Sequence, residues 1–254
     1  MSLRRLHLLY HELRPAQSGY SYVIDTESFG RHMDLLTSMR SDATSGLWPD
    51  LTFDDGHLSD IEHAFPILQS RGITAQFFIT VGWTGHKSGY MDWRDLRVLH
   101  ESGHLIGAHG WSHTLLTHCT KKDLDWELTR SRLLLEDKLG TSITTMSLPG
   151  GRFDRRVLAA CKEAGYSRVF TSEPKAENVT SGFTVGRLNI RGDMKLDWIR
   201  DLLQPGSSAL ASLERRSRVK FAAQRLLGDR LYDKLWSVLN GRELQAAEGG
   251  RSAR

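Results

Sequence analysis

Two carboxylates stand side by side in LTFDDG (51–56), Asp54 and Asp55, and two histidines stand four residues apart in HGWSH (109–113), His109 and His113. Two imidazoles and one carboxylate make a three-ligand zinc site with a fourth position open to water. A divalent metal there would bring the pKa of that water to about 7 and polarise a carbonyl. It would also explain the aspartate pair. Adjacent like charges repel, more so in a poorly solvated site. A cation neutralises one carboxylate and leaves the other off the metal, able to act as a base. Singly, each feature is ordinary: a DD pair is usually a solvated turn, HxxxH a surface pair, Pro-Gly-Gly a loop. Their conjunction, with PGG (149–151) following the two motifs, is hard to obtain by accident.

The elements that must position these residues alternate. LHLLY (6–10), LTF (51–53), TAQFFITV (74–81), HLIGA (104–108), TTMSL (144–148), SRVFT (167–171) and FTVGRLNI (183–190) read as seven strands. Amphipathic helical stretches lie between them: Asp60 to Ser70, 93–102 ending before Gly103, a long one from the N-cap Thr120 to Gly140, and 153–165. Strand–helix alternation implies parallel strands with helices outside. His11, Asp54, Asp55, His109 and the PGG turn each follow a strand directly. In a β/α barrel those strand ends share one face, where active sites form.

Composition sets the outer bounds. The chain has 254 residues, 39% hydrophobic and 25% charged, enough for one large α/β domain. No run approaches the ~18 apolar residues of a membrane span. MSLRRLHLLYHEL (1–13) does not read as a signal peptide. The expectation is a soluble cytoplasmic protein, loosely held at the inner membrane surface at most. Cys119 and Cys161 give neither a disulfide framework nor metal-ligand spacing and are expected reduced. Residues 206–254 carry ten Lys/Arg against five Asp/Glu, which leaves residues 1–205 at −1 within a total of +4. The basic excess belongs to the tail and gives no reason to expect nucleic-acid binding. Within 214–240, apolar residues recur at helical spacing, with Gly228 separating two helices. These helices are expected to pack on the barrel, with peripheral contact to anionic lipid or a partner as the alternative.

The motifs resemble those of the polysaccharide deacetylases, the NodB-homology or family-four carbohydrate esterases. LTFDDG resembles the first family motif, GHLIGAHGWSH (103–113) the second, and MDWRDLRVLHESGHLIGAHG (91–110) the family's approach to it. The resemblance spans roughly residues 5 to 175. It implies a distorted (β/α)7 barrel, here placed over residues 1–205, and the basic helical tail read above, 206–254, lies beyond it. It implies Asp54 as general base, and Asp55, His109 and His113 as ligands to one divalent ion. Zinc is the first choice, with cobalt, nickel or manganese able to substitute. The family's third motif, Arg-Pro-Pro-Tyr-Gly, aligns with SLPGG (147–151), which makes the Gly150 N–H the oxyanion donor and puts Ser147 in place of the arginine. Arg152 lies nearby, out of register, as a candidate to restrain Asp54.

The family's terminal Leu-x-His motif has no counterpart, since no histidine follows Tyr166. The motif Asp-x-x-Asp-Trp is absent too; LDW (196–198) falls in a helix, and Trp198 reads as packing. LLYHEL (8–13) and SGYSYVIDTESFGRHMDLL (18–36) instead resemble the circularly permuted exopolysaccharide-deacetylase branch, which implies His11 as general acid. The implied activity is metal-dependent hydrolysis of the acetamide of an N-acetylated hexosamine in a glycan. A deacylase of lipid-linked or small amide substrates, and a glycan-binding barrel without turnover, remain open beside it.

Overall fold

The computed structural model describes residues 4–40, 47–178, 182–204 and 206–227. In chain order the elements are β1 (Arg4–Tyr10), β2 (Glu12–Arg14), β3 (Val23–Asp25), α1 (Thr26–Arg40), β4 (Leu47–Phe53), α2 (Phe65–Gln69), β5 (Gln76–Ile79), α3 (Trp93–Glu101) and β6 (Leu105–Ala108). There follow α4 (Lys121–Asp125), α5 (Ser131–Leu139), β7 (Thr145–Ser147), α6 (Arg155–Glu163), β8 (Arg168–Phe170), β9 (Glu177–Asn178), β10 (Thr184–Val185), β11 (Arg187–Asn189), α7 (Leu196–Leu203) and α8 (Ser208–Leu227).

The main sheet runs β10-β8-β7-β6-β5-β4-β1-β11, every pair parallel, with β9 antiparallel to β1. Its two ends are one stretch of chain: β10 and β11 are separated only by Gly186. The expected seventh strand, 183–190, is therefore broken. Its first half pairs with β8 and its second with β1, and this closes a distorted seven-stranded barrel. A side chain at Gly186 would put a Cβ 2.5 Å from the Glu173 carbonyl oxygen. The Gly186 N–H leaves the ladder and donates to Glu177 Oε1 at 3.0 Å. Close backbone approach is what demands glycine at this break.

Strand alternation sorts the core into two parts. Leu6, Leu8 and Tyr10 of β1, Leu51 and Phe53 of β4, and Phe77 and Ile79 of β5 join Phe29, Met33 and Leu36 of α1 in the large core under the helices. Phe53 and Phe77 stack there at 4.8 Å. The alternate positions face inward, where, among the described residues, Phe78, Phe170 and Val185 form a small apolar cluster. Beside the buried Leu9 of β1, that inner face carries polar side chains: Thr52, Asp54, Ser147 and Arg187 are all buried. Gly107 makes room for it; a Cβ there would lie 2.6 Å from both the Phe78 ring and Thr145 Oγ1.

The long helical stretch begins and ends where the sequence placed it. Thr120 caps α4 in a reciprocal pair with Asp123, and Gly140 closes α5 at φ 65°. Between α4 and α5 lies a π turn, Trp126–Arg130. α1, β2 and β3 are additions to the sequence reading. The tail packs on the barrel as far as it is described: Leu210 is buried, and Glu214 of α8 accepts from the Ala176 N–H at 3.0 Å and pairs with Arg4 at 3.2 Å. The second tail helix, past Gly228, lies outside the described residues. Trp198 packs against the core, and both cysteines are buried and free, with burial pushing the Cys161 thiol up to about 12. Among the described residues no helix is long and apolar enough to cross a membrane.

Candidate active site

His11, Asp54, Asp55, His109, His113 and Gly150 line one cavity of about 1690 Å³ at the C-terminal mouth of the barrel. Asp55 Oδ1 lies 3.3 Å from His109 Nε2 and 3.2 Å from His113 Nε2, and one ligand atom from each residue falls within 4.8 Å of the others. His109 Nδ1 is 2.8 Å from the Ser147 carbonyl oxygen, which can only accept. That fixes the proton on Nδ1 and leaves a lone pair on Nε2, aimed at a carboxylate oxygen with no hydrogen-bond donor of its own. Lone pairs converging on one point are what a cation resolves, so the donor set fits a divalent metal.

The backbone is bent to serve this cluster. Among the described residues only two non-glycines have positive φ, Asp55 at 77° and His113 at 62°. Both are would-be ligands, and such conformations persist only where surroundings impose them. For Asp55, Thr80 N–H donates to its carbonyl at 3.3 Å, and Gly56 follows, also at positive φ. For His113 the restraint is Glu127, on the π turn. Its Oε2 accepts from Trp111 N–H at 2.7 Å and Ser112 N–H at 3.0 Å, and its Oε1 accepts from Ser112 Oγ at 2.6 Å. One buried carboxylate thus holds the HGWSH turn.

Asp54 has a different setting. It is 3% exposed, and the fully buried Arg187 grips it with both arms: Nη1 to Oδ1 at 2.7 Å and Nη2 to Oδ2 at 2.8 Å. Ser147 Oγ donates to Oδ2 at 2.9 Å and accepts from Arg187 Nη2 at 2.7 Å. Arg187 Nε donates to the Thr171 carbonyl at 3.1 Å. Burial would raise the Asp54 pKa, but the guanidinium, with His109 next, holds it below the ordinary value. A carboxylate has about four acceptor sites, so Asp54 can still accept from water.

The restraint on Asp54 is a correction to the sequence reading. Arg152 lines the cavity, but the guanidinium on the carboxylate belongs to Arg187. The signal was a lone arginine in the apolar strand FTVGRLNI, at an inward-facing position. Ser147 substitutes for the family arginine only by bridging Asp54 to Arg187. Gly150, at φ 64° in the turn Pro149–Gly151, is exposed on the cavity wall.

His11 follows β1 at the same mouth, its ring 5.1 Å from that of Tyr22, and its Nδ1 is buried without a hydrogen-bond partner. Burial pulls its pKa below the ordinary histidine value, opposed by the charges of Asp55 and Asp54.

A closed β/α barrel that gathers three such ligands and a separately clamped carboxylate at its C-terminal mouth stands with the metal-assisted hydrolases. Comparison narrows the class. Residues 50–169 match the model of the family described as polysaccharide deacetylase. YxkH of Bacillus subtilis, which carries the same family name, is 27% identical over 190 residues, covering 69% of this chain and 67% of its own. Chitin deacetylase 1 of Cryptococcus neoformans is 30% identical over 142 residues, 56% of this chain but only 29% of that protein. Among solved structures, the Streptococcus pyogenes deacetylase PplD superposes with a TM-score of 0.72 at 16% identity, over 81% of this chain and all of that one. IcaB from Ammonifex degensii gives 0.66 at 23% identity, over 80% and 97%. The fold is shared with both. Residues 50–169 belong to the polysaccharide deacetylase family, hydrolases of carbon–nitrogen amide bonds.

Proposed function

We propose that this protein removes the acetyl group from an N-acetylated hexosamine in a glycan, using one divalent cation held by Asp55, His109 and His113. The observation that carries this reading is the pairing of the ligand cluster with Asp54, buried, ionised and separately clamped beside it. When bound, the cation would supply an acidified water and a polarised acetamide carbonyl; zinc suits the donor set.

The chain's own residues do the rest. Asp54 takes the proton of the attacking water, and the Arg187 fork fixes the direction in which its carboxylate faces. The Gly150 N–H donates to the oxyanion as the carbonyl becomes tetrahedral. His11 gives a proton to the sugar nitrogen, which leaves as an amine; a poor leaving group needs that proton. A histidine whose pKa lies below its ordinary value is a stronger acid when charged, which suits donation.

The test is acetate release from N-acetylated oligosaccharides, with and without chelator. Turnover that chelation abolishes and added zinc restores is expected. Tight sugar binding with no acetate released from any acceptor would replace the deacetylase reading with that of a binding barrel.

A further inference from the structure

The cavity carries more positive charge than hydrolysis of a neutral acetamide requires. Six cationic side chains line it: Arg14, Lys87, Arg152, Arg191, Arg216 and Lys220. The carboxylates on its wall are Glu12, Asp54 and Asp55. Asp54 is taken by Arg187 and Asp55 by the histidine pair. Arg14 closes on Glu12 at 2.5 Å, and Lys87 lies over the Trp83 ring at 3.3 Å.

The other four, of which Arg152 and Lys220 have partners of their own, gather from three elements distant in sequence. Arg152 follows the Pro149–Gly151 turn, Arg191 follows β11, and Arg216 and Lys220 sit four apart on one face of α8. Arg191 reaches Asp193 at 3.4 Å, but that carboxylate is 69% exposed and well screened. Burial lowers the Lys220 pKa, and Arg152 and Arg191 lower it further. The three charges are thus close enough to oppose one another. Like charges held within reach in a cleft focus a positive potential there and raise the local concentration of anions. Arginine forks beside a lysine suit phosphate or carboxylate oxygens.

We propose that the substrate is an anionic glycan: the N-acetylhexosamine presented to Asp54 carries, or adjoins, a phosphate or carboxylate bound by Arg152, Arg191, Arg216 and Lys220. This rests on the deacetylase reading and names the substrate class for it. The basic excess of the tail then serves the active-site mouth in part, through α8. The same field disfavours an acceptor already bearing free amines, so deacetylation of neighbouring sugars works against itself.

Acetate release by the full chain, loaded with zinc, is measured on four probes: N,N′-diacetylchitobiose, its 1-phosphate, a disaccharide of N-acetylglucosamine and glucuronate, and a partly deacetylated chitooligosaccharide. Calorimetric binding is measured in parallel. The expected kcat/KM is about tenfold or more higher on an anionic probe than on the neutral one, and lowest on the aminated one. The preference should shrink as salt rises from about 0.05 to 0.5 M, where screening shortens to a few ångströms. The phosphate and glucuronate arms identify which anion is preferred, and a preference for either supports the proposal. Arg191→Gln with Lys220→Gln should lower the charged-to-neutral ratio several-fold; the wild-type salt dependence decides if that variant fails to fold. Equal kcat/KM on neutral and anionic probes would overturn the anionic-substrate inference and leave the deacetylase standing. Acetate from no probe, with tighter binding of the anionic ones, would do the reverse.

Discussion

Asp54 and Asp55 are neighbours in sequence and opposites in setting. Asp55 is a quarter exposed at its side chain, bent to φ 77°, and faced by two imidazole nitrogens. Asp54 is buried and locked to a guanidinium and a hydroxyl. One chain direction change at the end of β4 sends the two carboxylates to different counter-charges. The pair is tolerable because it is not a pair electrostatically: each carboxylate answers to its own cation, one permanent and one recruited. Chemistry divides the same way, between a ligand and a base.

The contrast breaks most completely if the ligand side is removed. His113→Ala or Asp55→Asn should abolish turnover by emptying the metal site, which metal analysis of the purified protein reads directly. Full occupancy in His113→Ala would unseat the ligand assignment. Asp54→Asn should do the opposite: metal retained, and a loss of ~10²–10⁴-fold in kcat, the usual contribution of a general base. Wild-type turnover in that variant would send the search for the base elsewhere.

Arg187 tests why the contrast exists. Arg187→Met leaves a buried carboxylate without its partner, a loss of about 3–5 kcal/mol by analogy with other broken buried pairs, read as a lower unfolding midpoint. The sign with pH follows from the lowered Asp54 pKa. Its stabilising contribution is present above about pH 4, the unfolded value, and is lost as pH falls through the folded one. Without the guanidinium, burial raises the Asp54 pKa, so the acid limb of the pH–rate profile should move upward. Arg187→Lys, which keeps charge but not the fork, should fall between; an unmoved acid limb in both variants would mean Asp54 is not the group titrating there.

What the sequence disclosed follows the same division. The ligand side is local: an Asp-Asp step and an HxxxH spacing each fit inside a single motif, and the strands that deliver them are short apolar runs. Six of the seven strands lie where the runs put them. The base side is non-local. Arg187 is 133 positions from Asp54, and no spacing links them. Finding it required the closed barrel, and closure depends on the break at Gly186, which reads in sequence as one continuous strand. α1 was missed although Phe29, Met33 and Leu36 repeat at helical spacing, because Gly30 and the polar residues between them dilute the pattern. α8 starts at Ser208, before the apolar periodicity becomes clear.

His11 sharpens the comparison from across the cavity. His11→Ala should keep metal and fold but lose ~10²-fold in turnover, and should lose the alkaline limb of the profile. Activity needs the charged imidazole, so in the wild type that limb falls as pH rises through the His11 pKa; burial places it on the acid side of the ordinary histidine value. A variant that keeps both rate and limb would remove His11 from the reaction, and His57, on the same cavity wall, would be examined next.

The smallest expected effect belongs to Glu127, and it separates holding a ligand from being one. Glu127 accepts three hydrogen bonds from the HGWSH turn, two from backbone N–H groups and one from a hydroxyl. It is not one of the three clustered ligands. Glu127→Gln keeps the shape but loses the negative charge and one acceptor oxygen, so the turn is held less firmly and the strained φ of His113 relaxes more easily. Partners of this kind typically change metal affinity by ~10–100-fold. The expected result is weaker metal binding by that factor, with kcat close to wild type once metal is saturating. That split distinguishes a positioning residue from a ligand, whose loss added metal cannot rescue. Unchanged metal affinity in Glu127→Gln would show that the HGWSH turn holds His113 without it, and would leave Asp55 alone as the ligand whose strained backbone needs outside support.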